Sequence, residues 1–129
     1  MKYFYLLLLI LIFSNCQKED NCQANCINGE WVWEFSSVGF SGHTITPETE
    51  DRTWKLVIDD FYYKSYMNDS LVTETEYNLG IDSTIQMDTG YYRFIELQNG
   101  KRYGLTINAE TLELYDECAD CYNHLFNRQ

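Results

Sequence analysis

From Trp31 to the C-terminus, turn residues punctuate the chain at intervals of about eight to twelve, and the runs between them are rich in Tyr, Phe, Trp, Ile, Val and Thr. No window in this region carries apolar residues at helical spacing, so core and solvent faces must be separated by alternation along strands. Residues 30–38 place Trp31, Trp33 and Phe35 on one face and Val32 and Glu34 on the other. Residues 52–58 gather Trp54, Leu56 and Ile58 before a turn at Asp59 and Asp60. Further strands are expected at 61–67, ending at Asn68 and Asp69, and at 71–79. The stretch 80–89 reads as one irregular strand ending at Gly90. Residues 91–97 and 101–107 flank Asn99-Gly100, the strongest hairpin signal in the chain because both residues tolerate positive φ. Residues 111–115 and 122–126 complete the set, and the segment from Gly39 through Pro47 to Asp51 reads as a long loop.

Eight or nine antiparallel strands on short loops must close or sandwich to hide their edges. The expected fold is therefore all-β, an up-and-down meander closing into a small barrel of about eight strands. Ile27-Asn28-Gly29-Glu30-Trp31 resembles the Gly-x-Trp signature of lipocalin-like barrels, in which the tryptophan packs across the closed end. That resemblance implies barrel-end packing for Gly29 and Trp31. The Thr46-Pro47 step, and the ending that runs from Leu114-Tyr115-Asp116 to Cys121-Tyr122-Asn123-His124-Leu125-Phe126, are similar to small uncharacterised lipocalin-like lipoproteins of Bacteroidota. The likeness spans most of residues 27–129 and implies a fold and a location, with no ligand to carry over. An eight-stranded barrel is just wide enough to be filled by side chains or to hold one small ligand. With Trp31, Trp33, Phe35 and Trp54 as inward candidates, a packed core is as much to be expected as an open cup.

The chain opens with Lys2, an apolar run from Tyr3 to Phe13, and then Ser14 and Asn15 before Cys16, which is the grammar of a signal peptide over residues 1–15. The run is about half of the ~20 residues a transmembrane helix needs. Cleavage before Cys16 resembles bacterial lipoprotein processing, which makes Cys16 the expected lipidation site and residues 16–26 a tether. Acyl chains there would hold the protein on the membrane. Gln17-Lys18-Glu19-Asp20 resembles the export signal of Bacteroidota lipoproteins, so the expected address is the outer face of the outer membrane, with the periplasmic face as the alternative.

Removing residues 1–15 leaves 8 basic against 20 acidic side chains, a formal charge of −12. Such a surface repels phosphate backbones, and nucleic-acid partners are not expected.

Four cysteines remain beyond Cys16: Cys22, Cys26, Cys118 and Cys121. An even number in an oxidising compartment reads as two disulfides. Because the first and last strands of a closed meander are neighbours, bridges between the two ends of the chain are favoured, with local Cys22–Cys26 and Cys118–Cys121 pairing open as the alternative. A thiolate metal site and a redox role are the weaker alternatives, and no metal or cofactor is expected.

Neither His43, in a loop, nor His124, in the last strand, has a nucleophile motif or a second metal ligand at suitable spacing. No catalytic residue is assigned. Tyr62, Tyr66 and Tyr92 join Trp33 and Trp54 as candidate ligand contacts, since aromatic rings on a rigid sheet can stack on sugars or proteins. The leading expectation is a non-enzymatic binding or accessory module for an unknown small molecule, glycan or protein, with an aromatic mouth and no convergent polar cluster. The alternatives are an interaction subunit of an envelope assembly, with a filled barrel and an exposed apolar patch, and a small hydrolase or isomerase acting inside the barrel.

Overall fold

Alternation at Trp31 and Trp33 does build a strand, and the chain that follows winds it into a closed wall. The computed structural model describes residues 26–39, 41–88, 90–118 and 120–129. The leader, Cys16 and Cys22 lie outside these. The elements are β1 (Gly29–Val38), β2 (Thr44–Ile45), the one-turn helix α1 (Pro47–Glu50), β3 (Trp54–Ile58), β4 (Tyr62–Met67), β5 (Ser70–Met87), β6 (Gly90–Leu97), β7 (Arg102–Ile107), β8 (Thr111–Asp116) and β9 (Tyr122–Arg128). From β3 to β9 each strand pairs antiparallel with the next, β3 pairs with β1, and β9 returns to β1 from Trp31↔Arg128 to Val38↔Tyr122. The result is the expected eight-stranded, lipocalin-like barrel, with β2 a short addition against Ser36 and Ser37. Among the described residues no helix is long and apolar enough to cross a membrane.

Several local expectations are corrected. Between Trp33 and Phe35 the β1–β9 register slips, so the residue that follows Trp33 into the interior is Ser36, 1% exposed, and Phe35 leaves the inner face. Residues 70–87 form one strand, continuous where a break after Leu79 was expected. Gly80, Asp82, Ser83 and Thr84 read as interruptions, but β6 pairs across them as far as Asp82↔Tyr92 before the register shifts. At that shift Asp82 accepts from both the backbone and the hydroxyl of Thr84. The loop after β1 holds α1, which starts on Pro47, is capped by a reciprocal Thr46–Thr49 pair and ends on left-handed Asp51.

Asn99-Gly100 does close a hairpin, but only Gly100 is left-handed, at φ 86°. Its N–H donates to Leu97 O, and Leu97 N–H to Lys101 O, each at 2.8 Å, as in a three-residue loop. The two-residue turn with both φ values positive is Asn68-Asp69, between paired Met67 and Ser70.

The end-to-end disulfide arrangement is overturned. Cys118 and Cys121 are bonded to each other, with Cα atoms 5.4 Å apart in the connection between β8 and β9. Cys26 is disulfide-bonded as well, so its partner is not one of the C-terminal pair.

Inward residues fall into two layers. At the end where β1 begins and β9 finishes, Ile27, Trp31, Ile58, Ile107, Leu112 and Phe126 are all buried and apolar. Each such side chain contributes on the order of 1.5–3 kcal/mol. At the opposite end the inward positions turn polar.

Candidate functional site

The apolar end is sealed. Trp31 is fully buried, and its indole N–H donates to Ile27 O at 2.8 Å. The Arg128 guanidinium lies over the ring, 4.0 Å from its centroid, and donates to the carbonyls of Asn28 (2.8 Å), Cys26 (2.7 Å) and Ala109 (2.7 Å). Gly29 and Trp31 thus lie at this end of the barrel, beside Arg128. Arg128 does not stand out in the sequence, where one arginine near the C-terminus carries no spacing signal.

The other end gathers Trp33, Ser36, Trp54, Ser65, Tyr103, Asp116 and His124, with Arg52 and the exposed Lys101 beside them. The strand residues sit at inward positions because β1, β3, β4, β7, β8 and β9 each bring their alternating face to this mouth, whereas Arg52 and Lys101 lie outside the strands. Trp33 and Trp54 lie 6.3 Å apart between ring centroids and 54° apart in plane. Trp54 packs edge-on against His124 at 5.0 Å and Phe126 at 4.9 Å, and Tyr122 stacks on His124 at 6.0 Å. Of the five candidate ligand contacts, these two tryptophans converge.

The three tyrosines do not. Tyr62 and Tyr66 lie on the outer face of β4, beneath the ammonium groups of Lys64 (5.7 Å) and Lys55 (5.3 Å). Tyr92 folds its ring over Gly104, where a β-carbon would meet its hydroxyl at 2.4 Å, and that hydroxyl bonds Glu117 at 3.1 Å. Burial and the Glu117 carboxylate push the Tyr92 phenol up to about 12.

A polar chain runs through the mouth. Trp33 Nε1–H donates to Ser36 Oγ at 2.8 Å, the Ser36 hydroxyl meets His124 Nδ1 at 2.6 Å, and His124 Nε2 faces Asp116 Oδ2 at 3.4 Å. Burial lowers the pKa of His124 and outweighs the Asp116 carboxylate that raises it, so the ring is neutral. In that form Nε2 carries the proton toward Asp116 and Nδ1 accepts from Ser36. A convergent polar cluster is therefore present where none was expected. Ser36, His124 and Asp116 are the residue types of a hydrolytic triad, yet the Ser36 oxygen already accepts the indole N–H and is buried. The chain fixes the imidazole and aims no nucleophile.

A second serine, Ser65, accepts from Trp54 Nε1 at 2.8 Å, so both indole N–H groups are spent inside the barrel. Tyr63 is raised far above the ordinary phenol range, first by burial and then by Tyr103 and Asp116, and stays protonated. Arg52 reaches over the Trp33 ring, 5.7 Å from its centroid, and its Nε is buried with no hydrogen-bond partner among the described residues. His43 stays in the exposed loop, its N–H on Ser41 Oγ at 3.3 Å. Among the described residues no group of three or more His, Cys, Asp or Glu side chains is arranged to hold a metal ion. Alternation read backwards from Trp54 makes Arg52 an inward residue, but a charge at a strand's start reads as solvated.

No protein-family model, no curated protein and no solved structure matches this chain.

Proposed function

We propose that this protein is a lipid-anchored, surface-displayed and non-enzymatic binding module that takes a small ligand at the polar mouth of its barrel. One observation carries the reading. The barrel is asymmetric, sealed by Trp31 and Arg128 where the N-terminal segment joins it, and lined at the far end by Trp33, Trp54, Arg52, Lys101 and His124. A tether through Cys16 would leave that mouth facing away from the membrane, at the outer face of the outer membrane or, as the alternative, in the periplasm. An acidic surface argues against nucleic acid as the ligand.

Thermal-shift screening with glycans, lipids and small aromatic compounds tests the binding reading. A ligand should raise the midpoint for the native chain and fail to do so for Trp54→Ala. Shifts that survive in that variant would place binding elsewhere. For the anchor, intact-mass analysis of membrane-extracted protein should show an acyl-sized increment on Cys16, and its absence would refute lipidation.

A second reading, an interaction subunit, is favoured by the part of the β5–β6 hairpin that overshoots β7. Ile81, Ile85, Met87 and Tyr91 are exposed there, Ile81 by 65%. Site-specific crosslinking from position 81 in intact cells would join a single defined protein under this reading and none under the first.

A further inference from the structure

We infer that the mouth recognises an organic monoanion, a carboxylate on a flat apolar body, with Arg52 meeting the charge and Trp54 receiving the body. The inference rests on the mouth being the binding site and goes further by naming the ligand's chemistry.

Donor accounting at the mouth points this way. The N–H groups of Trp33 and Trp54 are committed to Ser36 and Ser65, and the Ser36 hydroxyl is bonded to His124. Asp116, the acidic side chain in the cluster, is turned onto His124 Nε2. Two cations, Arg52 and Lys101, border these aromatic rings. Arg52 Nε has no acceptor among the described residues, on a side chain that is 41% exposed. The carboxylate in ion-pair reach of Arg52 is Glu50, at 3.8 Å from Nη2, and it leaves Nε unused. Lys101 is exposed, lies 4.6 Å from the centroid of the Tyr103 ring and is hydrogen-bonded to the Tyr103 side chain.

A planar guanidinium with a free donor matches a carboxylate, which can accept two parallel N–H bonds. Aromatic surface lies directly beside it, because Arg52 covers Trp33 and Trp33 meets Trp54. An apolar, flat ligand body fits that surface better than a hydrated one. The overall charge disfavours polyanions, but at physiological salt a charge farther than about 8 Å is largely screened, so the two nearby cations govern a monoanion.

Equilibrium dialysis of the full chain in non-ionic detergent against 2-naphthoate and its uncharged amide, 2-naphthamide, tests the inference. The carboxylate should bind at least about tenfold more tightly than the amide. Arg52→Gln should abolish that difference, and Trp54→Leu should weaken both ligands. Equal affinity for the two probes, a preference that survives Arg52→Gln, or no binding of naphthoate overturns the inference. A neutral compound that stabilises the chain in the wider screen, in a manner lost in Trp54→Ala, would then leave the binding reading standing alone.

Discussion

Gly29 leaves the space that Arg128 fills: a β-carbon built at Gly29 would stand 2.6 Å from Arg128 Nη1. Gly29 also holds φ at +144°, a region that side chains other than glycine's rarely adopt. Gly29→Ala should therefore cost about 2–4 kcal/mol, part steric and part torsional. Urea denaturation of Gly29→Ala in the native chain and in an Arg128→Ala background, each against its own parent, separates the parts. The steric share should vanish in the double variant and the torsional share should stay. A cost below about 0.5 kcal/mol would contradict the packing described.

Arg128 supplies donors to three carbonyls and a cationic cover for Trp31. Arg128→Met keeps much of the stem but leaves those carbonyls unmatched, and should destabilise by about 2–4 kcal/mol. Arg128→Lys should recover little, because an ammonium cannot reach the three acceptors from one plane. Recovery to near parental stability by lysine would show that the charge alone matters.

His124 predicts a pH dependence. Its folded pKa lies below the ordinary value of 6.5 because of burial, so the unfolded chain binds the proton more readily. The stability that the neutral ring contributes is complete above pH 6.5 and is lost as the pH falls through and below that value. Asp59, lowered by the Phe61 and Tyr62 N–H groups, and Asp82, lowered by Thr84, act in the same direction only near and below 3.8. Denaturation midpoints should fall between pH 7 and pH 5 in the native chain and fall less in His124→Gln. An identical slope in both would remove His124 as the cause.

The Cys118–Cys121 bridge closes a loop of only four residues. In the chain-entropy model its loss costs about 2 kcal/mol, against nearly 5 for a bridge spanning about 100 residues. Cys118→Ser with Cys121→Ser should therefore lower the unfolding free energy by about that amount and leave a folded barrel, since Thr111 to Tyr115 still pair with β9. Loss of the β-sheet circular dichroism spectrum in the variant would show that the bridge holds more than its own turn.

The barrel was legible because strand alternation and turn residues are local signals. Trp31, Trp33, Leu56 and Ile58 alternate into the core as read. The failures share one cause, which is that partners distant in sequence decide local geometry. Phe35 yields the interior to Ser36 because β9 imposes a bulge on β1. Gly80 and Asp82 stay in a strand because β6 pairs across them, and at Gly80 the Phe94 ring lies where a β-carbon would be, 2.2 Å from its Cζ. At the mouth, Trp33 and Trp54 were found by residue type. Ser36, Arg52 and Asp116 were not, since each reads as an ordinary polar strand or turn residue until the wall closes around it. Cysteine spacing could not choose between bridges, because the choice depends on Cys118 and Cys121 sharing one tight connection.

The N–H of Gln129 donates to Glu30 O at 3.0 Å, and Arg128 holds the carbonyl of Cys26, so the strand path finishes beside the place where it starts. A fusion partner appended after Gln129 would depart from the pole at which β1 begins. A label placed there would leave the end that holds Ser36, Trp54 and His124 uncovered.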